Sequence, residues 1–133
     1  MKSAALALPF LLSTLAYAAC EPLRVELNTG ETTENRCRLT FVIENKAKEP
    51  VDSLKLDLAV FNTEGVVQTR MVTEMAPVRP VKTVVRTFSV DGDCKQIGSI
   101  LVNDITACVP GTPSACLDTL ELSSKLKGVK FYK

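Results

Sequence analysis

Apolar residues along this chain recur mostly at every second position, in short runs separated by polar or Pro/Gly punctuation. Such alternation puts apolar side chains on one face of a strand, so it predicts a succession of β-strands and no stretch of helical periodicity. The clearest run carries Cys37, Leu39, Phe41 and Ile43 on one face and Arg38, Thr40, Val42 and Glu44 on the other, and its odd-numbered face is expected to point inward. After a polar turn from Asn45 to Pro50, Leu54, Leu56, Leu58 and Val60 alternate with Lys55, Asp57, Ala59 and Phe61, which places Phe61 on the outer face. An earlier strand from Leu23 to Asn28 is expected to end at the turn signal Thr29-Gly30.

Asn62-Thr63-Glu64-Gly65 has hairpin chemistry and should make neighbours of the third strand and of Val66 to Glu74. Pro77 and Pro80 bracket the next crossing, and Val81 to Val90 follows as a strand. Asp91-Gly92-Asp93 then turns into Ile97 to Thr106, whose run Ile100, Leu101 and Val102 suggests a central strand covered on both faces or one bulged at Asn103-Asp104. A last strand from Leu117 to Phe131 points inward at Leu120, Leu122 and Leu126 but changes phase to Val129 and Phe131, which predicts a bulge near Gly128. Roughly seven strands in one domain predict an all-β, immunoglobulin-like or fibronectin type III-like sandwich.

The first residues read differently. Met1-Lys2, an uncharged apolar stretch from Ala4 to Leu15 and then Ala16-Tyr17-Ala18 have the layout of a cleaved secretory signal peptide. The apolar run is too short to span a bilayer. The expected division is a signal peptide over residues 1–18 and a β-sandwich domain over 19–133. Export, to the periplasm by this reading, puts the cysteines in an oxidising compartment and makes disulfides their expected state. Loss of Lys2 takes the 16 basic residues to 15, against 15 acidic ones, so the mature chain is close to neutral. Neutral balance, no Trp and only two Tyr argue against nucleic acid as a partner. Lys125, Lys127, Lys130 and Lys133 follow the last acid, Glu121, and read as a solvated final strand and tail.

Five cysteines cannot all pair within one chain. If strands two and six run in the same direction, Cys37 and Cys94 lie at one end of the sandwich and can meet, while Cys108 and Cys116 can staple the loop between them. On chain-entropy grounds the longer loop should stabilise by about 4 kcal/mol and the shorter by somewhat under 3. A rival bridge from Cys20 to Cys37 would free Cys94. Cys20 is otherwise a free or intermolecular thiol, or the acylated first residue of a lipoprotein, in which case the membrane becomes a partner; Tyr17 stands three before it, where lipoproteins carry an aliphatic residue.

Four segments together carry a resemblance: Cys37-Arg38-Leu39-Thr40-Phe41 leading to Glu44-Asn45, Leu56 to Gly65, Ile97-Gly98-Ser99-Ile100-Leu101-Val102-Asn103 reaching Cys108, and Cys116 followed by Leu120-Glu121-Leu122-Ser123-Ser124. They resemble an uncharacterised family of small exported proteins of Gram-negative bacteria, labelled "Tat pathway signal sequence domain protein". The shared motifs are strand and cysteine patterns, so the resemblance implies a fold and its bridges rather than an activity. The chain departs from the label in lacking a twin-arginine pair before its apolar run, and ordinary Sec export fits it better.

Catalytic readings find little support. The absence of His removes the commonest general base and transition-metal ligand, and with it Ser-His-Asp and Cys-His chemistry. Asp91, Asp93 and Asp104 lack the ordered spacing of a calcium loop, Met71 and Met75 read as packing, Ser123-Ser124-Lys125-Leu126-Lys127 holds an unsupported Ser-Lys pair, and no two cysteines are spaced Cys-x-x-Cys. No cofactor is indicated. The expectation is a non-enzymatic protein-binding or adaptor module of the cell envelope, with Val42 and Phe61 as outward apolar candidates for its contact face; one continuous patch containing both would favour it. The alternative is a structural or assembly subunit that adds an edge strand to a partner's sheet or links chains through Cys20.

Overall fold

Two four-stranded sheets lie face to face in the computed structural model, which describes residues 3–5, 7, 9 and 22–133. Apart from residues 3–5, 7 and 9, the expected leader lies outside the described residues, as does Cys20. The strands are β1 (Arg24–Thr33), β2 (Arg36–Asn45), β3 (Ser53–Asn62), β4 (Val67–Glu74), β5 (Lys82–Asp91), β6 (Ile97–Val109), β7 (Glu121–Ser124) and β8 (Lys130–Tyr132). One sheet has the order β5-β2-β1-β7 and the other β4-β3-β6-β8. The inward rows of β2 and β3 are those expected, and Cys37, Leu39, Phe41, Ile43, Leu54, Leu56, Leu58 and Val60 are all buried in one core.

β6 reaches the same core by an irregular route. Its buried residues are Ile97, Ile100, Val102, Ile105 and Cys108, and the extra residue in each three-residue step lies at a register shift against β3. The shifts leave Gly98, Asn103 and Thr106 unpaired, so the expected bulge at Asn103 is one of three. Gly98 has no room for a side chain, because a Cβ there would stand 2.5 Å from the carbonyl oxygen of Asn62. The Asn62 side chain shapes the β3–β4 hairpin by accepting from the backbone N–H of Glu64 and Val66 at 3.0 and 2.9 Å.

Three expectations are corrected. β1 does not end at Thr29-Gly30: it shifts register between Leu27 and Thr29, continues to Thr33 and turns at Glu34-Asn35, both with positive φ. Gly30 serves a close approach instead, since a Cβ there would lie 3.0 Å from Leu126 and 3.4 Å from the Cys94 sulfur. The last strand is not continuous. Its first part is a helix, α1 (Pro113–Thr119), with the Thr112 side chain accepting from the N–H of Ala115 and proline in the first turn. The phase change that suggested a bulge near Gly128 is a change of sheet, as β7 pairs in parallel with β1 and β8 in parallel with β6. Leu120 and Phe131 both remain buried, each reaching the core from its own side.

Two disulfides close the fold, Cys37–Cys94 and Cys108–Cys116. The first ties the start of β2 to a 3-10 turn, Cys94–Gln96, that carries the chain from β5 into the other sheet. The second ties the end of β6 to α1. Two such bridges place the chain in an oxidising, extracytoplasmic compartment. No helix among the described residues is long and apolar enough to cross a membrane.

Asn45, buried at the end of β2, fastens the crossing to β3. Its Nδ2 donates to the carbonyls of Glu49 and Arg79 at 2.9 and 3.1 Å, and its Oδ1 accepts from the N–H of Ala47 at 3.0 Å. Truncation would strand buried backbone groups, so Asn45→Ala is expected to lower stability by about 2 to 3 kcal/mol in a denaturant melt. A loss under about 0.5 kcal/mol would show that water replaces the amide.

Candidate interaction surfaces

Val42 and Phe61 both turn outward, and neither is fully exposed. They do not share a patch. β2 and β3 turn their other rows toward one core, so their outward rows lie on opposite faces of the sandwich. Val42 stands opposite Val85 on β5, beside the Thr40–Thr87 pair whose hydroxyls lie 3.3 Å apart. Phe61 stands between Val67 on β4 and Ser99 on β6. A single contact face containing both residues is thus excluded.

The face that carries Phe61 is crossed by a polar clamp. Asp57 Oδ2 on β3 accepts from Asn103 Nδ2 at 3.1 Å and from Arg70 on β4 at 2.5 Å. The Asn103 bond, aided by Arg70 and opposed by partial burial, holds the Asp57 carboxyl below the usual carboxylate range. Asp91, Asp93 and Asp104 do not converge. Asp91 lies 3.7 Å from Arg36, Asp93 accepts from Lys95 N–H and the Thr32 hydroxyl at 2.8 and 3.1 Å, and Asp104 accepts from the N–H of Ile105. The described residues contain no group of three or more His, Cys, Asp or Glu arranged to hold a metal ion.

The remaining candidates have structural surroundings. Met75 is buried in the core and Met71 packs against it. Ser124 Oγ bonds the backbone of Leu126, while Lys125 lies 3.6 Å from Glu26. The lysines act separately: Lys133 Nζ donates to the carbonyls of Leu117 and Asp118 at the end of α1, and Lys130 lies over the Tyr132 ring. An open cleft of about 570 Å³ between the β3–β4 hairpin and the 3-10 turn is lined by polar groups of mixed charge, Glu64 and Asp93 against Lys95. A second, of about 400 Å³ where α1 meets β6, is spanned by Lys133.

The surface with the most unused bonding capacity is a strand edge. Each sheet has two edges; β7 and β8 are short, with 4 and 3 residues, and β4, with 8, is shorter than β5 and slips register against β3 between Val60 and Phe61. β5 pairs with β2 through ten consecutive residues without a register shift and, among the described residues, with no strand on its other side. The N–H of Gly92 donates to Asn35 at 2.8 Å, which sets the phase of this antiparallel ladder. By its alternation, even-numbered β5 residues bond β2, and Thr83, Val85, Thr87 and Ser89 direct N–H and C=O groups outward. The far end is partly occupied, because Arg36 donates to the Ser89 carbonyl at 3.4 Å and Gln68 to that of Asp91 at 3.2 Å. No signal in the sequence distinguished this edge, since strand neighbours across a sheet are not written in the order of strands along the chain.

No family model, no curated protein and no solved structure matches this chain.

The Asp57 clamp makes a pH prediction. A carboxyl with a folded pKa below its unfolded value contributes stability above the ordinary carboxylate range and loses it as pH falls through the folded value. Asp57→Asn should therefore cost about 1 kcal/mol at neutral pH and progressively less in acid, measured by urea melts across pH. A cost that does not change with pH would assign the clamp no electrostatic role.

Proposed function

We propose that this chain is an exported, non-enzymatic protein-binding module of the bacterial periplasm, and that it binds by adding an extended segment of a partner to the open edge of β5. The outward backbone groups of Thr83, Val85 and Thr87, which pair with no strand among the described residues, carry this reading, in a strand that pairs with β2 along its whole length. Main-chain hydrogen bonds would supply affinity, and the side chains along the strand would supply selection. This reading merges the adaptor and edge-addition expectations and takes the contact away from Val42 and Phe61 as a pair. The leader-like start of the sequence and the two disulfides support periplasmic residence. The order β5-β2-β1 against β4-β3-β6 supports an immunoglobulin-like or fibronectin type III-like ancestry, with β1, β2 and β5 as strands A, B and E and β3 and β6 as C and F. The strand and cysteine motifs support membership of the exported family that they resemble.

Thr87→Pro tests the edge. The Thr87 N–H points away from β2, so proline removes an outward donor without removing a ladder bond. The variant should melt within a few degrees of the parent and lose partners that the parent retains from its native envelope extract, read by mass spectrometry. Retention of the same partners by a folded Thr87→Pro protein would contradict binding at β5.

A further inference from the structure

Resting on the β5 reading, the geometry points to a specific partner chemistry: we infer that the added strand carries a carboxylate side chain opposite Arg86, with apolar side chains two positions away on either side.

Side chains that face each other across a strand pair lie on the same side of the sheet, so an added strand places every second residue beside the inward row of β5. That row includes Val84, Arg86 and Phe88, which stand opposite Ile43, Phe41 and Leu39 of β2. Those β2 residues are fully buried, whereas Val84, Arg86 and Phe88 are half-buried at the rim, where, among the described residues, no further strand covers them. Val84 and Phe88 pack against the core and present apolar surface along the seam.

Arg86 is the exception in this row. Arg24, Arg36 and Arg70 lie within ion-pair distance of Glu121, Asp91 and Asp57 respectively. Among the described residues Arg38, Arg79 and Arg86 have no such partner, but Arg38 and Arg79 are exposed whereas Arg86 is half-buried on the inward row, its guanidinium donating to the carbonyl of Pro77 at 3.0 Å. An inward-pointing charge on an edge strand discourages indiscriminate pairing, because an apolar strand laid against it would cover a cation without neutralising it. It also discourages a second copy of this chain, since self-pairing of β5 brings two Arg86 side chains to the same seam. The charge admits a strand that brings a carboxylate, the group whose planar geometry matches guanidinium. Specificity then comes from rejection as well as attraction.

The test uses the full mature protein and three synthetic peptides. Each alternates valine and threonine between polar flanks and differs only in a central Glu, Gln or Lys. Binding is followed by amide chemical shifts of β5, with the sedimentation of each sample recorded alongside. The Glu peptide is expected to bind about tenfold or more tightly than the Lys peptide, the lower end of the couplings found for close interfacial charge pairs. Arg86→Glu should reverse the preference, and Thr87→Pro should abolish binding of every peptide. Equal affinity for the three peptides, all lost in Thr87→Pro, would overturn the carboxylate inference and leave the β5 edge standing. No binding by any peptide would overturn both. A dimer that Thr87→Pro dissociates would make the occupant a second copy and overturn the inference.

Discussion

Phe41 is the point on which the two sheets are fixed. Its side chain is fully buried from the middle of β2, with the ring of Phe131 on β8 5.5 Å away and edge-on, and that of Phe88 on β5 at 6.0 Å. One aromatic group thus contacts an edge strand of its own sheet and the last strand of the other. Arrangements of this kind contribute beyond their buried area. Because Phe41 faces the core, Arg86 across from it on β5 must face inward as well, and the cation at the rim follows from the packing at the centre.

Phe131 meets Phe41 from the other sheet because the C-terminal segment is divided, β7 pairing with β1 and β8 with β6. β6 is already displaced by three register shifts and paired with β3 along its length, and its other side is met by α1 and by three residues of β8. α1 is held there by the Cys108–Cys116 bridge and by Lys133 on its last carbonyls. β7 takes the edge beside β1, which leaves β5 as the long open edge of that sheet. The Cys37–Cys94 bridge anchors the chain just beyond β5 to the start of β2, so the open strand is held at its C-terminal end by a covalent link. A fixed, ordered edge loses little conformational freedom when a partner strand adds to it.

Much of this architecture is legible in the amino-acid sequence, because period-two alternation is a local property. Leu39-Phe41-Ile43 and Leu54-Leu56-Leu58 declare their inward faces directly, and Asn62 declares a turn. The failures arise where distant packing decides. Gly30 looks like a turn residue, but its lack of a side chain accommodates Leu126 and Cys94 from far along the chain. Leu117 to Phe131 reads as one strand with a slipped phase, because a segment that faces the core from two sheets in turn has the same pattern. Helix α1 carries its signal in Thr112-Pro113, yet seven residues are too few for a helical period to show. The open edge of β5 was not legible at all, and Val42 with Phe61 drew attention to opposite outer faces.

Strand addition at β5 requires an edge with backbone groups to spare, and residue-resolved amide hydrogen exchange of β5 in the free protein measures that directly. The expected result is an alternation, with the amides of Thr83, Val85 and Thr87 exchanging much faster than those of Val84, Arg86 and Phe88, which bond β2. Uniform slow exchange along β5 would mean that its outer edge is already covered, and would contradict a module that binds by strand addition there.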